Sequence, residues 1–233
     1  MRIHPSGIAC HPGGDSIVVL GIGNVLWADE GFGVRCVEAL QQGWELGAEG
    51  TSAGDAIDSA AGGPDVQLID GGTQGLYLVQ HVQAADRLLI FDAIDYGLAP
   101  GSLRCIVDDE VPRFMGAKKM SLHQTGFQEV LMLAQLTGRY PREVLLIGCQ
   151  PAVLEDYGGS LSAPVRQAMD EALRLGLAAL ARWGARPRVR RTPLTERERI
   201  TFAELDLARY EADRPPADAA CRHGDERFMP GGR

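Results

Sequence analysis

Apolar residues along the chain fall into short unbroken runs separated by longer stretches of helical periodicity. Ser16 to Leu20 is a β-branched run followed by Gly21 and Gly23, the pattern of a buried strand that ends in a tight turn. Behind it, Val34, Val37, Ala39 and Leu40 recur at helical spacing and predict a helix from Phe32 to Gln42. The pattern then repeats: a strand over Val66 to Ile69, a helix over Leu76 to Val82, a strand over Arg87 to Phe91, and a strand over Leu103 to Val107 after the Ala99-Pro100-Gly101 turn. A helix from His123 to Leu136 should bury Phe127, Val130, Leu131 and Ala134 and stop at Gly138. Glu143 to Ile147 gives a fifth strand, and Ser162 can cap a long helix. Its apolar face is Val165, Ala168, Met169, Ala172, Leu173, Gly176, Ala179, Leu180 and Trp183.

Alternating strands and helices predict an α/β fold with a mainly parallel sheet, because parallel neighbours need helical crossovers and apolar strands need cover on both faces. The expected organisation is an N-terminal extension over 1–15 and a domain over 16–185. Within the domain, the stretch 43–64 holds no Lys or Arg and is rich in Gly, Ala, Ser and acids, so it is expected as an acidic surface insertion. A C-terminal extension follows over 186–233, with at most one helix around Glu196 to Tyr210 and a partly disordered end. The basic run Arg186 to Arg191 reads as a solvated segment after the long helix.

Composition narrows the function classes. With 233 residues, 45% of them hydrophobic and 23% charged, the chain can bury a full core. A net charge of -8 repels phosphate, which disfavours nucleic acid and anionic lipid as partners. Five cysteines at wide spacings form no C-x-x-C pair and are expected as reduced thiols. Without a signal-like segment or an apolar run of about 18 residues, the expected location is the cytoplasm, with no membrane insertion.

Candidate chemistry gathers where an open α/β sheet collects ligands, outside the carboxyl ends of its strands. Glu30, Asp70 and Asp92 all fall just past expected strands, and His123 lies at the start of a helix that can return to the same edge. Two carboxylates and an imidazole suit a borderline divalent ion such as nickel or zinc. Each residue also has a plainer role: Asp29 and Glu30 can cap a helix, Asp70 can hold the Gly71-Gly72-Thr73 turn through backbone amides, and His123 can simply begin a helix. Asp92, after four apolar residues, needs a partner. A dinucleotide fold is disfavoured, since Leu26 stands where the third fingerprint glycine belongs and Asp29 and Glu30 would face a pyrophosphate. No G-x-S-x-G elbow or recognisable catalytic cysteine context supports a Ser or Cys hydrolase.

Four motifs in order, Gly21-Ile22-Gly23-Asn24 with Asp29-Glu30-Gly31-Phe32-Gly33-Val34, Asp70-Gly71-Gly72-Thr73, Asp92-Ala93, and Ser121-Leu122-His123-Gln124-Thr125-Gly126, resemble the nickel–iron hydrogenase maturation proteases. The resemblance covers Ile17 to Trp183, and Gly72-Thr73-Gln74-Gly75 looks most like the uptake-hydrogenase branch. It implies a three-layer αβα sandwich of the phosphorylase/hydrolase-like kind around a twisted sheet. It further implies Glu30, Asp92 and His123 as ligands of a nickel ion brought by the substrate, a site that other divalent metals can also occupy, with Asp70 as a site-shaping neighbour. The implied substrate is the precursor of the hydrogenase large subunit, cut beyond its C-terminal metal-binding cysteines by a monomeric endopeptidase. Either the metal polarises the carbonyl or a water, or it only docks the substrate while Asp92 or Asp70 assists water attack in aspartyl fashion. The rival expectation is a noncatalytic chaperone that binds the same precursor.

Overall fold

The computed structural model of the chain describes residues 15–47, 63–112 and 122–215, without the side chains of 122–125. A five-stranded sheet runs in the order β3-β1-β4-β6-β5, with β1 Ser16–Ile22, β3 Asp65–Gly72, β4 Arg87–Ala93, β5 Leu103–Val107 and β6 Glu143–Cys149. Four strands are parallel, and the edge strand β5 pairs antiparallel with β6. Strand β5 can take the edge because Ile106 is its only buried residue, whereas β1 and β4 are buried almost throughout.

The side-chain alternation of the central strands divides the core into two layers. Ile17 and Val19 of β1 with Leu89 and Phe91 of β4 meet helix α1 (Phe32–Gly43) and the long helix α4 (Ala163–Arg182). Val18 and Leu20 with Leu88 and Ile90 point the other way, to α2 (Val79–Ala84) and α3 (Leu122–Leu136). The expected three-layer αβα arrangement is therefore present, and the predicted apolar faces pack as foreseen. Phe127, Val130, Leu131 and Ala134 of α3 are buried, as is the α4 face apart from the partly exposed Leu173.

Strands run further than the apolar runs suggest. Register pairs Gly21 with Asp70 and Asp92 with Gly148, so the two acids lie inside β3 and β4 rather than beyond them. A polar side chain does not end a strand whose backbone groups still find ladder partners. Over Leu76 to Val82 the chain makes a 3-10 turn, Gly75–Leu78, before α2.

The stretch expected as a surface insertion begins inside the fold. Trp44–Glu45 (β2) pairs antiparallel with Arg188–Val189 (β7), and Leu46 is buried in the core, while residues 48–62 lie outside the described residues. The basic run is correspondingly more than a solvated segment, since the Arg190 guanidinium donates to the carbonyls of Gln41 at 2.9 Å and Trp44 at 3.0 Å. Where at most one helix is expected around 196–210, there are two 3-10 turns, Glu196–Glu198 and Ala203–Leu205, then the one short helix α5, Leu207–Ala212. That segment has too few apolar positions for a helical stripe and is held instead by side chains of α1. The expectations for 1–14 and 216–233 lie outside the described residues. No helix among the described residues is long and apolar enough to cross a membrane.

Candidate functional site

From β1 the chain crosses to β3 on one side, while from β4 it proceeds to β5 and β6 on the other. The connections after β1 and β4 thus leave in opposite directions, and such a switch point is where α/β sheets form the crevice that takes their ligands. Glu30 enters it from the 3-10 turn Ala28–Gly31 after β1, and Asp92 from the end of β4.

Glycines bring these elements together. A Cβ on Gly21 would lie 2.4 Å from the Gly33 carbonyl oxygen, and one on Gly33 would lie 2.2 Å from that of Phe91, so only bare backbone lets α1 start across both strands. Gly23 has a φ of +127°, and a Cβ there would come within 1.8 Å of the Glu30 carbonyl oxygen, which accepts from the Asn24 amide at 3.2 Å. The G-x-G and D-E-G-x-G motifs interlock and fix the backbone that carries Glu30.

Alternation decides the faces. Phe91 packs with the α1 and α4 layer, so Asp92 projects toward α2 and α3 and is completely buried. His123 belongs to the first turn of α3, on that same side; its side chain lies outside the described residues, as does its position relative to the two acids. Among the described residues no three His, Cys, Asp or Glu side chains gather to hold a metal. Asp70, the register partner of Gly21, projects toward α1, across the sheet from Asp92. Its Oδ1 accepts from the Gly72 amide at 2.9 Å. Burial raises its carboxyl pKa, the Gly72 bond opposes the rise, and Glu38 adds to it. Asp70 therefore holds the turn that follows it through this bond.

Glu30 is half-buried, and desolvation raises its pKa above the ordinary glutamate value. A raised carboxyl pKa means the folded state takes up a proton more readily than the unfolded one. The ionised form therefore costs stability at neutral pH, and that cost vanishes as pH falls through the raised value. Glu30→Gln is accordingly expected to melt at or above the wild-type temperature at pH 7, with the difference shrinking in acid. Thermal unfolding at several pH values checks it, and a clearly lower midpoint at pH 7 would contradict the assignment.

Three residues of this region escaped the sequence. Asp29, expected at most as a helix cap, is fully buried and ties the rim loop after β6. Its Oδ2 accepts from the amides of Ala152 and Val153, both at 2.8 Å, and from the Ser162 hydroxyl at 2.9 Å, while Oδ1 accepts from the Ser162 amide at 2.6 Å. Ser162 occupies the N-cap position of α4 but gives its hydroxyl to Asp29 instead of capping. Gln150 is buried, accepts from the amides of Tyr96 at 2.7 Å and Leu98 at 3.1 Å, and donates to Asp95 at 3.0 Å, fixing the loop after β4. Tyr96 lies over Gly148, the register neighbour of Asp92; burial first, and then the charge of Asp92, hold the phenol protonated well above its usual pKa. Only a local signal for Asp29 existed, its place beside Glu30. The partners of all three come from distant chain segments.

Beside the crevice an open cleft of about 480 Å³ is lined by Asp95, Gln150, Pro151, Ala152, Val153, Leu154 and Glu155. Trp27 and Tyr157 stack edge to face at its rim, ring centroids 5.3 Å apart. Burial pushes up the thiols of Cys36, Cys105 and, to about 12, Cys149, so the described cysteines offer no ready thiolate.

Comparison with known proteins gives the same picture from three directions. The family profile described as "Hydrogenase maturation protease" (HycI) matches residues 34–179. "Hydrogenase expression/formation protein HoxM" of Cupriavidus necator is 60% identical over 214 residues, covering 92% of this chain and 98% of that protein. "Hydrogenase 2 maturation protease" of Escherichia coli K12 is 38% identical over 170 residues, covering 72% of this chain and 92% of that protein. Among solved structures, the hydrogenase maturating endopeptidase HybD from E. coli superposes with a TM-score of 0.63 at 35% identity, over 75% of this chain and 98% of its own.

Proposed function

Since the chain belongs to the hydrogenase maturation protease family, we infer that it is the endopeptidase that removes the C-terminal peptide from the precursor of a nickel–iron hydrogenase large subunit. In this reading, Glu30, Asp92 and His123 bind nickel that the precursor already carries, and the acids and imidazole complete a coordination sphere begun by the substrate's own ligands. What supports it is the placement of Glu30, on the turn after β1, and Asp92, near the carboxyl end of β4, at the switch point between β1 and β4, with the start of α3 on the face toward which Asp92 projects. Two oxygen donors and one nitrogen donor suit a borderline divalent ion.

The protein's own part in the reaction is binding, orientation and proton transfer. The interlocked glycines fix the backbone that carries Glu30, and in this reading Asp92 assists a water that attacks the scissile carbonyl. The proton taken from that water passes to the departing amine, and the products are a new carboxylate and the free C-terminal peptide. Asp70, on the far face of the sheet, supports the turn after β3 rather than sharing the proton work. The reading extends to a monomer acting in the cytoplasm.

Nickel-loaded and nickel-free precursor, each incubated with the purified protein and weighed by mass spectrometry, test the proposal. The loaded form is expected to lose its C-terminal peptide and the nickel-free form to stay intact. Equal processing of both would remove the nickel gate, and binding without any shortening would make the protein a chaperone.

A further inference from the structure

The segment after the sheet domain lies beyond residues 34–179 matched by the family profile, yet it is built into the molecule at two places. At the first, Arg35 and Glu38 of α1 form a buried ion pair at 2.8 Å, each about 3% exposed. Buried charges need further partners to offset their desolvation. The C-terminal segment provides them: Thr201 donates to Glu38 at 3.1 Å, the Leu205 carbonyl accepts from Arg35, and the Tyr210 ring lies 5.5 Å from the Arg35 guanidinium. At the second place, Glu211 accepts from the Ser160 hydroxyl and from Arg166, and Arg214 donates to Asp156 at 3.2 Å. Both of these contacts reach the rim loop after β6 or the first turn of α4 behind it.

The same loop is gripped from its inner side by Asp29, adjacent to Glu30. Between the two grips it displays Val153 and Tyr157, which with Trp27 stand 42%, 49% and 37% exposed beside the crevice. Exposed aromatic and aliphatic side chains on a backbone already fixed are what a protein partner can bury with little ordering cost. Trp27 is continuous with the proposed site, its carbonyl accepting from the Glu30 amide at 2.9 Å.

We propose that residues 196–214 are a brace that holds the Trp27–Tyr157–Val153 rim in place to dock the hydrogenase precursor next to its cut site, with Glu211 and Arg214 as positioning residues for substrate binding. The inference deepens the maturation-protease reading and rests on it for the identity of the partner. Without the brace the loop keeps its inner attachment, so the core stands while the rim loosens. Binding then pays for ordering the loop, and the chemistry is untouched once the substrate is seated.

The test uses the full chain carrying Glu211→Gln with Arg214→Gln, assayed on nickel-loaded precursor for cleavage and separately for equilibrium binding. The expected result is a KM and a Kd raised about five-fold, with kcat within about two-fold and a melting temperature within about 3 °C of wild type. A reversed pair, Asp156→Arg with Arg214→Asp, should recover most of the binding lost by Arg214→Asp alone. Unchanged KM and Kd would overturn the brace. So would a loss confined to kcat, or weakened binding that follows a fall in melting temperature and is not recovered by the reversed pair. If the wild-type protein binds the precursor without cutting it and the variant binds more weakly, the brace stands and the endopeptidase reading falls.

Discussion

Asp92→Asn is expected to reduce cleavage of nickel-loaded precursor by about 10²–10⁴-fold while leaving the protein folded. The substitution preserves the shape of the side chain within a completely buried site at the end of β4. What it removes is the oxygen that can bind a cation or accept a proton, and a carboxamide does neither well. Kinetics and binding measured together separate the two roles. Loss of binding along with cleavage marks Asp92 as a ligand, and retained binding without cleavage marks it as the group that activates water. Asp70→Asn is the internal contrast, since Asp70 projects from the opposite face of the sheet and its carboxylate accepts from the Gly72 amide of its own turn. Asp92→Asn with activity within a few-fold of wild type, at unchanged folding, would sink the site assignment.

Asp29→Ala is expected to destabilise the protein by about 3–5 kcal/mol, the range seen when one side of a buried charged network is removed. Three amides, those of Ala152, Val153 and Ser162, and the Ser162 hydroxyl all converge on this carboxylate. Truncation leaves those donors without their acceptor, and each buried unsatisfied group costs about 1–3 kcal/mol, less whatever water or local movement recovers. Asp29→Asn should cost less, about 2 kcal/mol. Its oxygen can still take the Ala152 and Val153 amides, but its NH₂ then faces the Ser162 amide, donor against donor. Urea unfolding of both variants checks the order. Equal, small effects would show that the rim loop is held by something other than Asp29. Since the loop lies beside Glu30, weaker precursor binding should accompany the stability loss.

Much of the architecture was legible because it depends on local pattern. The β-branched runs at Ser16 and Arg87 and the helical stripes at Phe127 and Val165 each declare an element without reference to any other, and alternating elements imply a parallel sheet. The detail of the segment over 196–210 is not legible in the sequence because the segment is held by α1, more than a hundred residues away, rather than by a stripe of its own. The same holds for Trp44–Glu45 and Arg188–Val189: two-residue strands have no periodicity, and they exist only because they pair.

The sequence by itself determined the α/β class, the order of the main elements, and the acids and histidine that the resemblance marks for chemistry. Those properties reside in periodicity and short motifs. Only the tertiary structure decided that Asp70 and Asp92 project from opposite faces of one sheet, that Asp29 is a buried tether, and that the C-terminal segment reaches round to the rim. A side chain's face follows from strand register, and a tether from partners brought together by folding. Neither is a property of the residues next to it in the chain.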